Sequence, residues 1–213
     1  MGMKSAVFAI FEGPDGYFGT RPAPDEQKSA ELAFRLPLQA MAAASKGDFD
    51  CYPPSSKLGV GVYERGAIVA HQSLMEGCVS AETHPVTKEL QAMFPNGTFV
   101  SFGLLSSVNF FAYTVIEGKR LRRAFGGAED HIDRDVGEPL PEELPHFAAS
   151  TVRDGMRYFT SPDVPEEGFD TPAYGETLTS SVTQRLFGRG IDDWEVSLPE
   201  LHYFTRRPWW RFW

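Results

Sequence analysis

The sequence predicts an α+β domain with a largely antiparallel sheet and helices packed mainly on one of its faces. Two tight hairpins, turning at Glu64-Arg65-Gly66 and at Glu117-Gly118, join strand patterns directly, and strand–helix–strand alternations are few. The run Val108 to Ile116 is apolar or aromatic at both parities, the mark of a strand covered on both sides. No linker divides the chain, so residues 1–205 read as a single domain and 206–213 as an Arg/Trp-rich tail.

The elements follow in order. Lys4 to Phe11 is apolar and ends at the dense turn signal Glu12-Gly13-Pro14-Asp15-Gly16, which predicts a strand and then a loop. Pro24-Asp25-Glu26 opens a helix, because Pro suits the first turn and acids complement the helix N-terminus. Ala30, Phe34, Leu38 and Met41 continue at helical spacing, and Pro37 predicts a kink or two short helices. Leu58, Val60 and Val62 alternate with Gly59, Gly61 and Tyr63, so one face of that strand is bare enough for a backbone or an aromatic ring to lie on it. Ala67 to His71 returns as its hairpin partner.

His84-Pro85 starts a helix that runs through Leu90 and Met93 to the Pro95-Asn96-Gly97 turn. Phe99 to Leu105 is a strand, and Lys119 to Phe125 returns from the second hairpin. Strict alternation there puts Leu121 and Phe125 on a core face with Arg123 between them, and Arg120 and Arg122 in water. Pro139 to Phe147 holds a short acidic helix or turn. Ser161 to Pro172, rich in Pro, Asp, Glu and Gly, reads as a loop. Tyr174, Leu178, Val182 and Leu186 define a helix stopped by Gly188, and Trp194 to Phe204 reads as a last strand broken by Pro199.

Bulk properties narrow the function classes. The net charge of -9 opposes binding to phosphate backbones and anionic membranes, and suits solubility or a basic protein partner. Two cysteines, Cys51 and Cys78, are too few for a disulfide framework and suit reduced thiols in the cytoplasm. Met1 to Glu12 lacks the tripartite pattern of a signal peptide, and no window is apolar over the ~20 residues a spanning helix needs. Asn96-Gly97-Thr98 matches a glycosylation sequon but reads as a turn.

Four groups of residues are candidate sites. Glu129, His131, Asp133 and Asp135 would share one face of an extended strand and offer oxygen and imidazole ligands to a divalent metal; the alternative is a solvated acidic edge. Cys51, His71, Cys78 and His84 hold zinc-type chemistry without any close pair. Arg120, Arg122 and Arg123, with Lys119, form the densest basic cluster of the domain and could take a carboxylate or phosphate, or pair with the acids of residues 129–143. The tail carries Arg206, Arg207, Trp209, Trp210, Arg211 and Trp213, residue types enriched in binding hot spots and at membrane interfaces. Ser106 and Ser107 lack a nucleophile elbow, Gly126-Gly127 lacks the Lys-Ser/Thr of a phosphate loop, and Gly59-x-Gly61 is half a dinucleotide fingerprint.

Several segments in order carry a family resemblance: the Met1-Gly2-Met3-Lys4 start, Tyr52-Pro53-Pro54 before a Gly-bearing strand, and Ser107-Val108-x-Phe110-Phe111-Ala112 leading a hairpin closed by Gly118. Gly137-Glu138-Pro139-Leu140-Pro141, Leu186-Phe187-Gly188 and Val196 to His202 follow. Together they resemble an uncharacterised bacterial family, a domain of unknown function. The resemblance implies no activity. It counts His131 and Asp133 as no part of the family pattern, and the Arg- and Trp-rich tail as an addition.

The expectation is a cytoplasmic protein-binding domain of a sequestering or immunity type, without catalytic activity or cofactor, whose partner is another protein or a second copy. The alternative is a small metal-dependent hydrolase built on residues 129–135. Nucleic acid is not an expected partner, and membrane contact through the tail ranks below protein contact.

Overall fold

The computed structural model describes residues 3–38, 45–129, 131–153, 156–161 and 164–205. β1 (Lys4–Phe11) is followed by α1 (Glu26–Arg35), β2 (Lys46–Asp48), β3 (Lys57–Tyr63), β4 (Gly66–Ala70) and α2 (Pro85–Met93). Next come β5 (Thr98–Leu105), β6 (Phe110–Glu117), β7 (Arg120–Ala128), β8 (His131–Val136) and α3 (Leu144–Ala148). β9 (Thr151–Arg153), β10 (Met156–Ser161), β11 (Val164–Asp170), α4 (Thr171–Phe187) and β12 (Glu200–Thr205) complete the described chain.

Nine strands form one sheet in the order β2-β12-β3-β4-β1-β5-β6-β7-β8, with antiparallel pairing throughout. The α+β class and the antiparallel sheet are as the sequence predicts. The helices, however, divide between the faces. In β1, Val7, Ala9 and Phe11 face a core shared with Leu178, Val182 and Leu186 of α4. Ala6, Phe8 and Ile10 face a second core shared with Leu32 of α1 and with Val86 and Leu90 of α2. The reason is that the inner strands are apolar at both parities: β1 and β6 are buried over nearly their full lengths, and each face needs its own cover.

Local chemistry accounts for the element ends. Asp25 caps α1 by accepting from the Lys28 N–H at 2.9 Å, and α1 stops at Arg35 because Leu36, the residue before Pro37, is extended. The bare face of β3 is covered by aromatic rings, as the glycines predict: a Cβ on Gly61 would collide with the Tyr63 hydroxyl, and one on Gly59 would lie 3.2 Å from the Tyr203 ring. β6 and β7 turn through Gly118, whose φ of 58 lies in the left-handed region.

Two segments differ from the sequence reading. Of residues 161–172, read as a loop, Ser161 closes β10, Val164–Asp170 form β11 of a small sheet ordered β11-β10-β9, and Thr171 and Pro172 open α4. β11 is an edge strand, where a residue such as Pro165 costs no ladder bond on its open side. The last strand begins at Glu200, after Pro199, and residues 194–199 are not part of it.

Candidate functional site

A cleft of about 250 Å³ opens between the start of β7 and the segment that follows β8. One wall is Arg120, Leu121 and Arg122; the other is Gly137 to Pro141. Strand pairing sets the first wall. β6 pairs Ile116 with Leu121 and Val115 with Arg123, so Arg122 is the extra residue of a β-bulge. The bulge reverses the alternation. Leu121 therefore packs with the α2-side core, while Arg123 and Phe125 point to the α4 side. This corrects the expectation that Leu121 and Phe125 share a face.

Arg123 is the largest fully buried side chain, and it fixes the cleft from behind. Its Nε donates to both oxygens of Glu143, at 3.1 and 3.2 Å. Its Nη1 donates to Asp135 and, at 3.0 Å, to the Gly137 carbonyl. Glu143, also fully buried, accepts further bonds from the Tyr113 hydroxyl at 2.6 Å and the Leu140 N–H at 2.7 Å. The guanidinium stacks over Phe125, 4.5 Å from the ring centre. Burial works against the Arg123 charge, but Glu143, Tyr113 and Asp135 more than offset it and raise its pKa. Burial, reinforced by Glu143, pushes the Tyr113 phenol well up. Nη2 of Arg123 is buried without a hydrogen-bond partner among the described residues.

The two arginines of the cleft differ. Arg122 gives its Nε edge to Glu117 at 3.2 Å. Arg120 has no ion-pair partner among the described residues; of the basic cluster it is Arg123 that pairs with acids of residues 129–143, through Asp135 and Glu143, and not Arg120 or Arg122.

The four candidate metal ligands are not gathered on one face. Glu129 sits in the turn before β8 with φ 53, and β8 carries its own bulge: Gly126 pairs with Arg134 and Gly127 with Ile132, leaving Asp133 as the extra residue. Ile132 therefore packs toward the α4-side core, whereas Arg134 reaches the opposite face to bond the Val79 carbonyl and Glu82. His131 and Asp133 pair with each other at 2.7 Å, while Asp135 is drawn to Arg123. Among the described residues no three of His, Cys, Asp and Glu come together as metal ligands. β8 is also the outermost strand of the sheet, and its exposed charges and bulge discourage another strand from pairing with it.

The Cys/His set is likewise dispersed. Cys51 donates to the Lys4 carbonyl and Cys78 to the Leu74 carbonyl, while His71 and His84 accept from Ser73 N–H and Val86 N–H. Burial pushes the Cys51 thiol up to about 11 and the Cys78 thiol higher still, so neither is an activated nucleophile.

A sequence profile described as a family of unknown function (DUF6928) matches residues 5–197. The chain belongs to this family. No curated protein and no solved structure matches it. The DUF6928 match includes both walls of the cleft, the Arg123–Glu143 pair and α4, and ends just before β12. β12 is nevertheless an inner strand of the sheet, between β2 and β3.

Two features of this DUF6928 chain were not legible from motifs. His146 of α3 lies 2.9 Å from the Tyr174 hydroxyl through Nδ1 and 2.9 Å from Ser181 Oγ through Nε2. Ser181 Oγ also lies 3.0 Å from the Thr177 carbonyl, one helical turn back. One assignment satisfies every group: Tyr174 donates to Nδ1, Nε2–H donates to Ser181, and Ser181 donates to Thr177. The hydroxyl proton then goes to the helix rather than to His146, so this Ser–His pair ties α3 to α4.

The second feature is Trp194, which is 90% exposed. Its loop is held on both shoulders. Asp192 accepts from Ser180, the Ile191 N–H donates to Thr183 at 2.9 Å, and Arg189 pairs with Asp193 and Glu195, each at 2.9 Å. Burial data, not sequence, reveal this residue; its one sequence signal is a lone Trp set among Asp192, Asp193 and Glu195. The predicted tail site, Arg206, Arg207, Trp209, Trp210, Arg211 and Trp213, lies outside the described residues. No helix among the described residues is long and apolar enough to cross a membrane.

Proposed function

We propose that this chain is a protein-binding domain that acts by occupying a partner's surface, in the sequestering or immunity-type manner, without chemistry of its own. Trp194 carries the reading. A tryptophan left almost wholly in water, on a loop tied down at residues 191, 192, 193 and 195, is an anchor already ordered for docking. Its acidic neighbours and the net charge of -9 suit a partner whose apolar pocket is rimmed by Lys and Arg. The Arg206–Trp213 tail supports the same reading by composition. The cytoplasm is the compartment we assign, since both cysteines are free thiols.

The experiment compares proteins retained by the wild-type chain and by Trp194→Ala, then titrates the purified partner against both. The expected result is a loss of about 2 kcal/mol or more, roughly thirtyfold in Kd, with an unchanged melting temperature. Sedimentation of the chain alone separates a second copy from a foreign partner. Equal affinity of the two proteins for every retained partner, with no self-association dependent on Trp194, overturns the reading.

A further inference from the structure

We propose that the cleft between β7 and Gly137–Pro141 is a binding site for a small monocarboxylate with an apolar body, separate from the Trp194 surface. Charge is the first ground. Two guanidinium groups, Arg120 and Arg122, line the cleft; Arg122 is paired with Glu117, and Arg120 has no ion-pair partner among the described residues, although Glu138 belongs to the opposite wall. In a chain of net charge -9, an unpaired cation at a cleft is open to an anionic group. One carboxylate can pair with Arg120; a phosphate dianion would set a second negative charge beside Glu117 and Glu138.

The donors have the right form. Glu117 occupies the Nε edge of Arg122, so its two Nη groups remain as a fork, and the whole Arg120 guanidinium is free to meet a planar carboxylate edge-on. The opposite wall suits the apolar part of a ligand. Pro139 and Pro141 present rings and no N–H. At about 250 Å³ the cleft falls just under the volume of pockets for drug-sized molecules, roughly 300 Å³ and above. A single ring or short aliphatic body fits that scale.

The cleft is also held open from behind. The Gly137 carbonyl is bound by buried Arg123 and the Leu140 N–H by buried Glu143, so the wall is set before any ligand arrives. Arg123 and Glu143 are positioning residues here, and the ligand contacts fall to Arg120 and Arg122.

Amide and arginine Nε–H NMR spectra of the full chain, titrated with benzoate, test this. Benzamide serves as the neutral isostere and phenyl phosphate as the dianion. The expected result is saturable shifts confined to Arg120, Arg122 and Gly137–Leu140, with Kd on the order of 1 mM or tighter. Benzamide is expected to leave these signals in place, and phenyl phosphate to bind no tighter than benzoate. Arg120→Gln should weaken benzoate about tenfold, while Trp194→Ala should leave it unchanged. Both substitutions are at exposed positions, so an unchanged melting temperature is expected for each. Absence of saturable shifts, equal response to benzamide, tighter binding of phenyl phosphate, or wild-type affinity in Arg120→Gln each overturns the proposal.

Discussion

Replacing Arg123 with Met tests the buried pair directly. Arg123 and Glu143 are both removed from water, at 1% and 0% side-chain exposure. Glu143 depends on Arg123, because its remaining donors, the Tyr113 hydroxyl and the Leu140 N–H, are neutral, whereas Arg123 keeps Asp135 as a second counter-charge. Arg123→Met has a side chain that can still pack on Phe125, but it leaves a carboxylate buried without its counter-charge. Breaking one side of a buried pair costs about 3–5 kcal/mol. Against a typical domain stability of about 5–15 kcal/mol this is a large share. With an m-value near 3 kcal/mol/M, the urea midpoint should fall by about 1–1.7 M. Adding Glu143→Gln removes the orphan charge but leaves one carbonyl oxygen where two donors point, so about 1–3 kcal/mol should remain lost. The double variant should therefore be more stable than Arg123→Met alone, which additive costs cannot produce. A single variant within about 1 kcal/mol of wild type, or a double variant less stable than the single, would refute the account of a charge-dependent pair.

Two further outcomes are expected. Gly175→Ala in α4 should raise helix propensity by about 1 kcal/mol yet destabilise the protein, because the new Cβ would meet the Phe111 ring; overpacking of about 1–3 kcal/mol sets the sign. A urea midpoint above wild type would show that α4 can shift outward without cost. Burial holds the His146 imidazole below its ordinary pKa, so as pH falls the unfolded chain takes up the proton first. Stability is then complete above the unfolded value of about 6.5 and declines from there down to the folded value. His84 adds to this with the same sign and the same cause. Melting temperatures at about pH 7.5 and pH 5.5 should therefore differ less in His146→Asn than in wild type, and an unchanged difference would remove His146 from the linkage.

Much of the domain was legible because its signals are local. The helix start at Pro24-Asp25-Glu26, the interruption at Pro37, the glycine-bared β3, the Gly118 turn and the α4 stripe from Tyr174 to Leu186 each depend on neighbours within a few residues, and each appears where the sequence puts it; whether a second short helix follows Pro37 falls on residues 39–44, outside the described residues. Arg120 and Arg122 were legible as candidates because a basic cluster stands out in an acidic chain, and both line the cleft. β11 was not legible, since its Pro, Glu and Gly content is that of a loop and only pairing with β10 makes it a strand.

The deeper division concerns parity. The sequence by itself determined β1 and β3 to β7 and where they turn, since apolar period and turn chemistry are carried by adjacent side chains. It could not determine which face each charged side chain takes, because one bulged residue reverses every later position and a bulge belongs to two paired strands at once. The bulge at Arg122 sends Arg123 inward to Glu143, and the bulge at Asp133 separates His131 and Asp133 from Asp135. Tertiary structure alone likewise decided that Trp194 stays in water, because burial depends on what the rest of the chain brings to cover a residue.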